Sequence, residues 1–293
     1  HRAPGGAIAL AITESGAAWR RLAPDLAVRL ARLADRLDFQ WGAAAVSSVR
    51  HAASSATLES PPAARPPEEG VSGRGLRAST DAVLGELYDL LWRPLEEMGL
   101  PEGRHWIISP HGAIHRIPFP ALRDRRGYLI ERTSVSMAPS ARVWMALPVE
   151  PEERARRRAW IAGVPSAALP AVDREVRGIA RRLEGKAGWD ARIDFAPTRD
   201  ALRSAGASSG LVHLAAHGSF RRDNPAFSFV ELADGPLFAH DLAGLRFAGS
   251  LAVLTACSSG RGAAPAGDEW IGLARGFLQA GASAVVASLW PIP

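Results

Sequence analysis

Cysteine is almost missing from this chain: Cys257 is the only one in 293 residues. A single thiol excludes an internal disulfide framework and any metal centre built from a cysteine cluster, and it fits a reducing compartment such as the cytoplasm. Lysine is as scarce, with Lys186 alone among 35 basic residues. The net charge is +5 and the pI near 10.4, but an arginine-only excess beside abundant Ala, Gly and Pro reflects coding bias more simply than phosphate recognition. No nucleic-acid contact is therefore expected. The one dense run, Arg154 with Arg156, Arg157 and Arg158, reads as a solvated linker. No apolar run approaches a membrane span, and no signal peptide is visible. The first residue is His rather than Met, so the sequence reads as a fragment. Neither G-x-G-x-x-G after a strand nor G-x-x-x-x-G-K-[ST] occurs, which leaves a nucleotide-binding reading without support.

What is present is ordinary globular composition, 47% hydrophobic and 22% charged, enough for one large core or two smaller ones. Ala7 to Thr13 reads as a strand and Ser15-Gly16 as a hairpin turn into Ala17 to Leu22. Leu26, Leu30, Leu33 and Leu37 then recur at helical spacing behind Pro24-Asp25. Residues 1–53 form this opening segment, and 54–78, with SPPAARPPEEG, read as a mobile linker or insertion. Ser79 and Thr80 are placed as caps of a helix carrying Val83, Leu84, Leu87, Leu90 and Leu91. Trp106 to Ser109 and Leu129 to Ser136 read as strands, and Pro139-Ser140 as the start of a helix through Ala146. From about Arg158 strands and helices alternate: Ala159 to Val164 a strand, Asp173 to Leu183 a helix, Ile193 to Ala196 a strand, a Thr198-capped helix through Ala205, a short helix at Asp241 to Leu245, and a helix opened by Gly267, Asp268 and Glu269 whose Trp270 or Ile271, Ala274, Phe277 and Leu278 face the core. That alternation implies an α/β fold with a mostly parallel sheet flanked by helices.

The richest stretch runs from Ser209 to Gly260. SGLVHLAAHG and GSLAVLTACSSG are two apolar runs, the first closing on His217 and the second on Cys257. Bounded by Gly and Ser, both read as buried strands. If they lie parallel in one sheet, their carboxyl ends share the edge where open α/β sheets place their sites. A thiol of pKa roughly 8.5 needs a neighbouring imidazole to raise its thiolate fraction or take its proton. Gly218, lacking a side chain, lets its N–H approach a carbonyl closely. With the N–H of Cys257 it would form an oxyanion hole.

LVHLAAHG, VLTACSSG and GDEWIGLARGFLQAGASAVVASLWP together resemble the CHAT domain, a cysteine peptidase family of the caspase- and separase-like clan. LYDLLWRPLEEM, WIISPHGAIHRIPFPALRD, YLIERTSVSMAPSA and AWIAGVPSAALPAVDREVRGIA resemble further CHAT segments in the expected order. The resemblance implies a caspase-like fold with an N-terminal pseudo-peptidase half at 79–150 and an active half at 151–293, C-terminally truncated. By position it makes His217 the general base and Cys257 the nucleophile, with no metal or organic cofactor. His213, His111 and His115 are read as structural. Members of the wider clan that cut after Arg or Lys often carry Asp two residues before the nucleophile; Thr255 stands there, so a basic preference lacks its usual support. Asp268 and Glu269 have two readings, a response to the helix dipole or a tentative part, with Thr255, of the substrate pocket. The partners implied are a protein substrate and a regulatory or sensor protein or fused helical-repeat domain. A catalytically silent CHAT-type interaction module is the alternative.

Overall fold

The computed structural model describes residues 7–14, 16–55, 71–99, 103–151, 155–167, 169–186, 188–219, 225–255 and 268–288. The chain divides into two compact units, His1–Ala138 and Pro139–Pro293.

The first unit opens with an antiparallel hairpin, β1 (Ile8–Thr13) and β2 (Gly16–Arg21). Two long helices follow, α1 (Leu26–Ser55) and α2 (Val71–Leu91). The leucine spacing does what an amphipathic stripe should: Leu26, Leu30, Leu33 and Leu37 are all at most 2% exposed and share a core with Val83, Leu84, Leu87 and Tyr88 of α2. Residues 71–78, expected within the linker, are the first turns of α2. Ser79 and Thr80 therefore lie inside the helix and do not cap it. The Thr80 hydroxyl donates to the Leu76 carbonyl one turn back, and Ser79 accepts from the Gln40 side chain at 2.7 Å. A short α3 (Arg93–Glu96) leads on to β3 (His105–Ile108), the hairpin β4 (Arg123–Asp124) and β5 (Gly127–Tyr128), and β6 (Ser134–Met137), which pairs parallel with β3. The strand expected from Leu129 starts later because Leu129–Glu131 is a 3-10 turn, closed by the Tyr128 N–H donating to the Glu131 carboxylate at 2.9 Å.

The second unit begins with α4 (Ala141–Ala146), capped by the Ser140 hydroxyl accepting from the Val143 N–H. It is followed by β7 (Arg158–Gly163), α5 (Val172–Glu184), β8 (Asp190–Asp194), α6 (Arg199–Ser208) and β9 (Leu211–Ala215). They are followed by the short strands β10 (Gly218–Ser219), β11 (Phe229–Leu232) and β12 (Gly235–Phe238), then β13 (Leu251–Thr255), α7 (Asp268–Gln279) and β14 (Ala284–Ala287). Five of these strands form a parallel sheet in the order β14-β13-β9-β7-β8. The mixed α/β class expected from the alternation is the one found, and its sheet flanked by helices is a caspase-like arrangement. Both faces of β7 and β9 are covered, which explains why their sequences are almost uniformly apolar. On one face Ala159, Ile161 and Ala215 meet Val172, Val176 and Ala180 of α5. On the other, Trp160, Val212, Leu214, Ala252 and Leu254 meet Leu202 of α6 and Leu273 and Phe277 of α7.

Three local differences from the sequence reading have identifiable causes. β8 ends at Asp194, not Ala196, because the Asp194 carboxylate accepts from the Ala196 N–H and turns the chain. The helix expected at Asp241 to Leu245 is a 3-10 segment, Ala239–Gly244. In α7 the face on the core is Leu273, Gly276 and Phe277, continued by Ala280 just past its end, whereas Ala274 and Leu278 are only partly buried. Gly276 is the reason: a Cβ there would lie 2.7 Å from the Leu242 Cδ1 and 3.1 Å from the Ala239 carbonyl oxygen, so the helix rests on that segment through its smallest residue.

Candidate active site

The two apolar runs that closed on His217 and Cys257 are adjacent strands. β9 and β13 pair parallel from Leu211↔Leu251 to Ala215↔Thr255 and finish in register at the same carboxyl edge. His217 is two residues beyond Ala215 and half-buried. Cys257 is two residues beyond Thr255 in sequence and lies outside the described residues. Past the paired ends, the Ala216 N–H still donates to the Thr255 carbonyl at 3.3 Å.

Gly218 is buried and starts β10, which pairs antiparallel with β11 through Gly218↔Val230 and Ser219↔Phe229. The Glu231 N–H donates to the His217 carbonyl at 2.7 Å. In an antiparallel ladder hydrogen-bonded and non-hydrogen-bonded pairs alternate, so residue 217 faces β11 with its backbone polar groups and residue 218 turns its own away. The Gly218 N–H is thus not spent on this sheet, of which β10 is an edge strand. The same ladder fixes the backbone that carries His217.

Thr255 is held from within the fold. Its hydroxyl donates to Oε1 of Glu175, in the first turn of α5, at 2.7 Å. His213, in the middle of β9 and 3% exposed, brings its Nε2 to 3.1 Å from the same oxygen. Thr255 and His213 approach each other at 3.5 Å. A carboxylate only accepts, so the His213 Nε2 carries a hydrogen. The His213 hydrogen bond chiefly, and that from Thr255, hold the Glu175 carboxyl below the usual carboxylate range against the opposing effect of partial burial. Glu175 was absent from the sequence-based candidates. Its signal lay in His213, since a histidine inside an otherwise apolar buried strand needs a polar partner from a neighbouring element.

The remaining candidates fall elsewhere. Asp268 opens α7 and Glu269 follows it, but their side chains lie outside the described residues. His111 precedes a 3-10 turn (Gly112–Arg116) of the first unit that contains His115. Among the described residues no group of three His, Cys, Asp or Glu side chains is placed to hold a metal ion, and no helix is long and apolar enough to cross a membrane.

A family model for the CHAT domain matches residues 81–293. Tetratricopeptide repeat protein 28 of Mus musculus is 26% identical over 291 aligned residues, covering 78% of this chain. The chain spans about 12% of the length of that curated relative.

Proposed function

The chain belongs to the CHAT domain family, and on that premise we propose that it is a cysteine endopeptidase in which Cys257 is the nucleophile and His217 the general base. The reading is carried by one observation: the strands leading into these two residues are neighbours and end in register at Ala215↔Thr255. Cys257 attacks the scissile carbonyl as its proton passes to His217, forming a C–S bond and a tetrahedral oxyanion. The backbone N–H groups of Gly218 and Cys257 donate to that oxyanion. An outward-turned Gly218 N–H is what this role requires. As the oxyanion collapses, the C–N bond breaks and the imidazolium returns its proton to the departing amine. Water, deprotonated by His217, then hydrolyses the thioester and regenerates the thiol. Thr255, Asp268 and Glu269 are proposed at the margin of the substrate pocket.

The mouse relative's name places tetratricopeptide repeats in that protein, which supports a helical-repeat segment or partner as the regulator of this domain. The test is mass spectrometry of a cell-derived peptide library after incubation with the protein, beside an activity-based thiol probe. New peptide ends and probe labelling lost in both Cys257→Ala and His217→Ala are the expected result. Partner binding that persists in Cys257→Ala, with no cleavage by the wild type even when the partner is present, would instead make the domain an interaction module.

A further inference from the structure

Resting on that reading of Cys257 and His217, we propose that Glu175 is a positioning residue of the site, acting as a clamp between the two strands that lead to the dyad, from the middle of β9 to the end of β13. Its oxygen Oε1 is shared by two groups from different strands, His213 of β9 at 3.1 Å and Thr255 of β13 at 2.7 Å. His213 is four residues before His217, and Thr255 two before Cys257. The clamp therefore joins the middle of β9 to Thr255, which stands in the last described pair of the β9–β13 ladder, Ala215↔Thr255.

A buried histidine satisfied by a carboxylate is a common structural device, and for His213 alone that account would suffice. It does not account for Thr255. That hydroxyl is at a strand end and only partly buried, where water would serve it as well. Instead it shares the oxygen that holds His213, tying α5, β9 and β13 at one point. Glu175 keeps about a third of its side chain exposed, so the clamp lies at the rim of the sheet and not in its centre. Displacing a reacting group by about 1 Å is enough to cost on the order of 100-fold in rate. Fixing two neighbouring strands to a common atom is a direct way to prevent such drift.

Cys257 is the only thiol, so its alkylation by iodoacetamide, followed by intact mass as a function of pH, reports the dyad without any substrate. In the wild type the imidazole partner should place the inflection below the free-thiol value of about 8.5. Glu175→Ala should slow alkylation at neutral pH by roughly 10- to 100-fold and move the inflection back toward the free-thiol value. Thr255→Val, close in shape, should shift it in the same direction by less. Glu175→Gln retains an acceptor for both groups and should recover most of the rate. Thermal melts recorded beside these measurements separate folding from positioning. If Glu175→Ala and Thr255→Val melt earlier yet keep the wild-type rate and inflection while His217→Ala loses both, Glu175 is structural only and the proposal is overturned. If His217→Ala also leaves the profile unchanged, the dyad itself is wrong and the clamp falls with it.

Discussion

Adding one methyl group to each of two helical glycines should move stability in opposite directions. Gly178 lies in the interior of α5, and a Cβ built there meets nothing within 4 Å. Gly178→Ala should therefore gain the helix-propensity difference, about 0.5–1 kcal/mol. Gly276 in α7 offers the same propensity gain, but its Cβ would lie 2.7 Å from the Leu242 Cδ1 and 3.1 Å from both the Leu242 Cβ and the Ala239 carbonyl oxygen. Leu242 is fully buried, so its terminal methyl has nowhere to swing, and the carbonyl is backbone. Overpacking of this kind costs about 1–3 kcal/mol. With three contacts the upper part of that range applies, which after the propensity gain leaves a net loss of about 2 kcal/mol. Urea unfolding followed by circular dichroism resolves this. At a slope of about 2 kcal/mol/M, Gly276→Ala should lower the midpoint by roughly 1 M while Gly178→Ala raises it slightly, with slopes unchanged. Equal shifts of the same sign would refute the claim that α7 rests on the Ala239–Gly244 turn through its glycine.

Other outcomes follow from single contacts. Thr198→Ala removes the hydroxyl that accepts from the Ala201 N–H at the start of α6 and should cost about 1 kcal/mol in the same unfolding assay. The Glu175 carboxyl is lowered from 4.5 by His213 and Thr255, so the carboxylate stabilises the fold fully above about pH 4.5. That contribution is lost as the pH falls through the lower folded value. The stability gap between wild type and Glu175→Ala should accordingly close on acidification, and a gap that widened would contradict the assignment. Burial and the hydrogen bond to Glu96 push the Tyr88 hydroxyl up to about 12. Absorbance at 295 nm should show a tyrosinate step near that pH, abolished in Tyr88→Phe. The linked stability is present below the unfolded value of about 10 and lost as the pH rises toward 12.

Much of the fold was legible because it follows from periodicity. The leucine stripe of α1, the alternation from β7 to β9, and the Ser140 and Thr198 caps each announce themselves within a few residues. What was not legible depended on partners distant in sequence. Ser79 and Thr80 look like caps until Leu76 and Gln40 are seen to take their hydroxyls. Of the α7 positions expected on the core Phe277 is buried, but Gly276 was missed because hydrophobicity gives no weight to a residue whose value is its lack of a side chain. Glu175 escaped notice because 38 residues separate it from His213 and 80 from Thr255, and only the folded sheet brings the three together. The family resemblance, by contrast, rests on contiguous motifs and covers residues 81–293.

The strand order also sets a timetable. β13 sits between β9 and β14, and its partner β9 was made 40 residues earlier in the chain (251 − 211). Pairing over such a separation is slow, since the intervening loop must close before any contact rewards it. β14 leaves the ribosome last of the described strands, and the edge of β13 stays uncovered until it does. During synthesis the histidine segment is therefore assembled well before the cysteine segment has a finished sheet to join. On the dyad proposed above, reactivity of Cys257 would arrive only with completion of that sheet.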